Sequence, residues 1–121
     1  MRYALAFMVV ALPVSAQEGL LANDLSMSAT DLDSHLRGQV LEFFDGSKSR
    51  YGSDSRYGYT YTDDGPVWAG EYQTFDDSRV CVAFDNGSER CDTIVLDGSR
   101  TILITDEGLR FPVRNMTVDG Q

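Results

Sequence analysis

Two cysteines, one histidine and a surplus of carboxylates are the side chains from which any chemistry would have to be built. Cys81 and Cys91 flank Asp85-Asn86-Gly87, a turn composition. A structural disulfide, a redox couple and a metal clamp compete for this pair. A redox couple of the Cys-x-x-Cys kind draws its reactive thiol from a helix N-terminus, and a hairpin spacing offers none. One histidine and two cysteines are too few for a His/Cys zinc site. A disulfide is therefore the expected state.

Hairpin register tests that expectation without using the cysteines. A two-residue Asn86-Gly87 loop pairs Val82 with Cys91 and puts the two sulfurs on opposite faces. A three-residue Asp85-Asn86-Gly87 loop sets Cys81 opposite Cys91, with Gly87 in the left-handed position of a bulge. Only the three-residue register puts Val80, Val82, Phe84, Ile94 and Leu96 on one face, and a buried face fixes register strongly. It also places Arg90 and Asp92 on that apolar face, which is the weak point of the assignment.

The other chemical candidates fall away one by one. His35 stands alone, is expected on the exposed side of a short helix, and no serine is marked as a nucleophile elbow. Asp31, Asp33 and Glu42 match positions 1, 3 and 12 of an EF-hand loop, but Leu36 replaces the glycine the loop needs at position 6. The remaining aspartates cluster in turns, where bonds to their own backbone account for them. No metal, cofactor or catalytic residue is assigned.

The aromatic set is the most suggestive binding feature. Tyr57, Tyr59 and Tyr61 alternate and so share one strand face, and Trp68 and Tyr72 share one parity in the next strand. Such a set either forms a recognition platform or lines the core as cross-strand aromatic pairs. These five residues are the candidate binding residues.

The elements that would position them follow from spacing. Thr30 can cap a two-turn helix carrying Leu32 and Leu36, with Asp31 and Asp33 at its positive end and Gly38 after it. Beyond Gly38 the period becomes two. Strands are expected over 39–44, 48–51, 56–62, 67–74, 79–84, 90–96, 100–105 and 109–113, separated by Asp/Gly/Ser/Asn turns. No connection is long enough for a crossover helix, which excludes parallel βαβ units. The fold class is mainly β: a small antiparallel meander barrel or sandwich of about seven or eight short strands with one short N-terminal helix.

The chain has 121 residues and carries a net charge of −9, with 42% hydrophobic residues. One packed domain fits that length and composition. The charge argues against nucleic acid and anionic membrane surfaces as partners. Residues 1–16 read as a signal peptide: Arg2, an apolar run over 3–14, then Val14-Ser15-Ala16 as a cleavage site. That run is well short of the ~20 residues a membrane-spanning helix needs. The domain layout is then a signal peptide at 1–16, a flexible lead-in at 17–29, a single β-domain at 30–114 and a tail at 115–121. Export makes a disulfide chemically permissible.

Three stretches carry a resemblance: Leu36-Arg37-Gly38-Gln39-Val40-Leu41, the Tyr/Gly/Asp-rich hairpin from Tyr51 to Tyr61, and the run from Trp68 through Cys81-Val82-Ala83-Phe84 and Arg90-Cys91-Asp92 to Arg110-Phe111-Pro112-Val113. Over residues 36–113 the chain resembles small exported β-domain proteins of unknown function from alphaproteobacteria. The resemblance implies fold and compartment and brings no activity with it. The expected function is that of a non-catalytic periplasmic or secreted bacterial β-domain, monomeric, with a binding or envelope-associated role. Its partner would be a protein, a glycan or a small apolar ligand. Two further readings stand beside it: a calycin-like barrel holding a small ligand, and an acid-dependent hydrolase.

Overall fold

Short strands of period two, each ended by a turn, give eight antiparallel strands and one helix in the computed structural model, which describes residues 19–120. The helix α1 spans Ala29–Leu36. The strands are β1 (Gln39–Phe43), β2 (Lys48–Tyr51), β3 (Arg56–Thr60), β4 (Trp68–Phe75), β5 (Arg79–Phe84), β6 (Glu89–Asp97), β7 (Arg100–Ile104) and β8 (Arg110–Val118). Each strand pairs with the next, and β8 returns to pair with β1, so the sheet is a closed barrel. Closure removes both edges on which another chain could add. The expected signal peptide at 1–16 lies outside the described residues.

A meander sends alternate turns to opposite ends. Helix α1 lies across the end that carries the β2–β3, β4–β5 and β6–β7 turns. The Ala29 N–H donates to Asp76 at 2.9 Å, Thr74 donates to the Ala29 carbonyl at 2.9 Å, and Arg37 donates to the Ser53 carbonyl at 2.9 Å. Leu32 and Leu36 are fully buried from this side, joining Leu41, Phe43, Val80, Val82, Ile94 and Leu103 in the core. The four remaining turns, β1–β2, β3–β4, β5–β6 and β7–β8, surround the other end, and no helix covers it among the described residues.

The β5–β6 hairpin has the three-residue register. Cys81 pairs with Cys91, Val80 with Asp92 and Val82 with Arg90. Gly87 takes φ +94°, the left-handed conformation the bulged loop requires. The disulfide joins directly opposed residues whose Cα atoms are 4.0 Å apart. With Val80 and Val82 facing in, both cysteines face out, so the bridge staples the barrel from outside. Gly70 is required by close approach: a Cβ there would collide with the Ala83 carbonyl oxygen.

Several strand ends move by one or two residues, and larger differences from expectation lie at the two ends of the domain. Residues 115–118 are no tail, because β8 continues to Val118 as the partner β1 needs for closure. Opposite Glu42 and Phe43 the register skips Arg114, and this bulge breaks the alternation of β8 and hides its second half from a period-two pattern. Nor is the described part of the 17–29 lead-in loose. Leu25 exchanges backbone bonds with Leu96 at 2.8 and 3.0 Å, Ser78 binds Met27, and Leu20 packs on Val95, Ile102 and Ile104 outside the barrel. The helix cap is Ser28, whose Oγ accepts from the Asp31 N–H at 3.2 Å, so Thr30 falls inside the helix. His35 is half-buried and bonded to Thr101 at 2.9 Å, because a helix across the barrel end has little free face.

The staple closes a loop of about 11 residues, which limits the unfolded chain by on the order of 2–3 kcal/mol. Urea unfolding of Cys81→Ala/Cys91→Ala should show a loss of that size with an unchanged far-ultraviolet spectrum. A loss below about 0.5 kcal/mol would place the stability of the hairpin elsewhere.

Candidate functional site

The inward positions of each strand climb from the plugged end to the open end, and their chemistry changes on the way. Near α1 they are mostly aliphatic or aromatic, with Tyr51 and Tyr72 beside the leucines and Thr101 bonded to His35. Toward the open end they become Ser49, Tyr59, Arg90 and Asp92. An open cavity of about 510 Å³ lies there, walled by Phe43, Ser49, Tyr59, Asp92, Leu103 and Phe111 among others. Its rim carries Asp45, Tyr61, Glu89, Asp106, Glu107 and Leu109.

Depth sorts the five aromatic candidates. Tyr57 and Tyr72 are buried in the core, Tyr59 is half-buried, and Tyr61 is 64% exposed. Tyr57 packs edge-on against Tyr51 at 5.1 Å and against Phe84 at 5.9 Å. Tyr72 donates to the Gly52 carbonyl at 2.8 Å, near the plugged end. Trp68 faces Tyr59 across the β3–β4 ladder and is 46% exposed. The five therefore do not make one platform. The same face is core at Tyr57 and Tyr72 and mouth at Tyr59, Tyr61 and Trp68.

The central polar pair is Arg90 and Asp92. Successive inward positions of β6 place the two side chains on one face, and Arg90 Nε donates to Asp92 Oδ2 at 2.8 Å. Asp92 is only 7% exposed, and its other oxygen, Oδ1, is buried without a hydrogen-bond partner. Burial holds the Asp92 carboxyl above the ordinary carboxylate range, and the charge and hydrogen bond of Arg90 oppose the shift without reversing it. Nearby Asp106 and Glu107 push the same way as burial. Beside the pair, Ser49 and the Tyr57 hydroxyl share a 2.9 Å hydrogen bond, and burial pushes the Tyr57 phenol up to about 12.

The rim acids have a different character. The Asp45 carboxylate accepts from the Ser47 N–H at 2.9 Å and from Ser47 Oγ at 2.6 Å, which lowers its pKa. That oxygen serves its own turn. No ion pair among the described residues involves Asp45, Glu89, Asp106 or Glu107. No group of three or more His, Cys, Asp or Glu side chains among the described residues is arranged to hold a metal. The chemistry on offer is hydrogen-bond acceptance by a buried carboxylate, aromatic contact and a negative field.

Arg90 and Asp92 were visible in the sequence only as a fault in an apolar face. Two polar residues at i and i+2 on the inner face of a strand are the signal that could have marked a wet cavity. No protein-family model, curated protein or solved structure matches the chain.

Asp92 and Asp24 should respond oppositely to acid. The raised pKa of Asp92 means that its contribution to stability is fully present below the unfolded value, about 4, and is lost as pH rises through the folded one. Asp24, hydrogen-bonded by Arg110 at 2.6 Å, has a lowered pKa, and its contribution is lost as pH falls through that value. In urea unfolding from pH 7 down to 3, the wild type should gain stability relative to Asp92→Asn and lose it relative to Asp24→Asn. A loss relative to both variants would mean that Arg90 dominates the environment of Asp92.

Proposed function

We propose that this protein binds a small molecule with an apolar or aromatic body in the open end of its barrel, without transforming it. The observation that carries the reading is the asymmetry of the barrel interior. Helix α1 and the apolar core fill one end, and the other holds a cavity of about 510 Å³ with mixed polar and apolar walls. That volume falls in the range of small-molecule sites, about 300–1,000 Å³. Eight antiparallel strands enclose an interior wide enough for side chains or one small ligand.

Binding is favoured over catalysis by the position of the carboxylates: Asp92, buried in the wall, is tied to Arg90, while Asp45, Glu89, Asp106 and Glu107 are exposed at the rim. An acid-dependent hydrolase would need two facing carboxylates with divided roles. The proposed setting is the bacterial periplasm or the extracellular medium, supported by the Cys81–Cys91 disulfide and by the leader-like composition of residues 1–16. A second reading, docking of a protein or glycan on the rim, draws support from the exposure of Tyr61 and Trp68.

The test is a titration with 2-phenylethanol followed by amide chemical-shift mapping. Saturable shifts should gather at Ser49, Tyr59, Arg90, Leu103 and Phe111. Leu103→Trp, which fills the cavity from its wall, should abolish them while the far-ultraviolet spectrum is retained. Shifts confined to the outer β4–β5 face around the disulfide would overturn the proposal, as would the absence of saturable shifts with 2-phenylethanol and with its charged analogues alike.

A further inference from the structure

The walls of the cavity also restrict the charge of what enters it, and this inference rests on the binding reading above. Five carboxylates, Asp45, Glu89, Asp92, Asp106 and Glu107, line the opening against a single guanidinium. Four of them have no ion-pair partner among the described residues, and the guanidinium of Arg90 is already engaged by Asp92. An anionic ligand would meet a repulsive field at the mouth and would have to compete with Asp92 for Arg90.

An acidic rim alone would be only a solvated surface. The second observation lies deeper. Asp92 is more than nine-tenths buried on the cavity wall, and its Oδ1 accepts no hydrogen bond. A buried acceptor without a partner costs free energy, which a ligand donor recovers once the carboxylate turns that oxygen toward the cavity. The same cavity is lined by the rings of Tyr59, Tyr61 and Phe111, whose faces attract cations. Tyr59 and Tyr61 already meet edge to face, with centroids 4.9 Å apart, forming a corner of two aromatic walls.

We infer that the ligand is an organic cation: a protonated amine on an apolar or aromatic body, its ammonium directed to the Asp92 carboxylate, which turns to meet it, and its body held by the aromatic side chains of the mouth. The ammonium supplies the missing donor and keeps further N–H groups for Ser49 or water. It also offsets the crowding of Asp92 by Asp106 and Glu107. A neutral alcohol could fill the same space and donate one hydrogen bond, but it gains nothing from the field.

Isothermal titration with three ligands of one skeleton separates charge from shape. 2-Phenylethylamine should bind about tenfold more tightly than 2-phenylethanol at low salt, and 3-phenylpropanoate should bind most weakly. Asp92→Asn should remove most of the amine's advantage. Because that change lies in the core, Asp106→Asn/Glu107→Gln in an exposed turn is the companion variant. It should weaken amine binding several-fold and leave the alcohol within about twofold. Equal affinities for amine and alcohol, or a preference for the carboxylate, would overturn the cation assignment while leaving the binding site intact. Absence of binding by all three would overturn both this inference and the binding reading on which it rests.

Discussion

Pairing of β8 with β1 is the constraint from which the rest of this structure follows. Once the sheet closes, every strand has one inward parity, and that parity fixes which side chains meet in the interior. Tyr57, Gly70, Val82 and Leu103 are inward for this reason, while Cys81, Cys91, Ile102 and Ile104 are outward. Closure also fixes two ends. One helix of eight residues is enough to cover one of them, and the chain supplies no second helix among the described residues. An open mouth is the geometric consequence of an even-stranded meander with a single plug.

The interior is graded to match. The plugged half is built from Leu32, Leu36, Leu41 and Ile94, all fully buried, where burial of apolar surface is the dominant stabilising term. Tyr51 and Tyr72 belong to the plugged half too, and Tyr51 contacts both Tyr57 and Tyr72 with edge-to-face geometry at 5.1 Å. Beyond them the walls turn polar, and Arg90 and Asp92 sit where water and core meet. A charge pair at such a boundary is poor material for stability, since desolvation offsets much of its attraction. The pair lines the cavity, and the oxygen it leaves unbonded is buried in the wall. The outer surface is organised differently, with the disulfide on one side and the 19–27 segment strapped over β6, β7 and β8 on the other. The strap is held by Arg110, which donates to Asp24 at 2.6 Å and to the Gly19 carbonyl at 2.8 Å.

Much of this fold was legible because small antiparallel barrels announce themselves through turns. Asp-Gly and Asn-Gly steps bounded nearly every strand, and hydrophobic parity alone chose the register that brought Cys81 to Cys91. What stayed hidden depended on tertiary context. The bulge at Arg114 breaks the period that would have revealed the end of β8, and residues 19–27 gain their order from Leu96, Ser78 and Arg110, which are distant in the chain. The site was half legible. Alternation put Tyr57, Tyr59 and Tyr61 on one face, but depth along the barrel axis, which separates a core ring from a mouth ring, is a property of strand stagger. Arg90 and Asp92 were seen and set aside as a flaw in an apolar pattern, when the flaw marked the cavity.

The environment of the Asp92 carboxyl is where fold, electrostatics and binding meet, so its titration is the most direct measurement. Carbon-detected NMR of the Asp92 side chain, free and saturated with 2-phenylethylamine, reads it in one experiment. The expected result is a pKa above the ordinary aspartate value in the free protein that falls when the cation is bound. A pKa at or below the ordinary value that does not move with the amine would contradict a buried, ligand-seeking carboxylate at the mouth of this barrel.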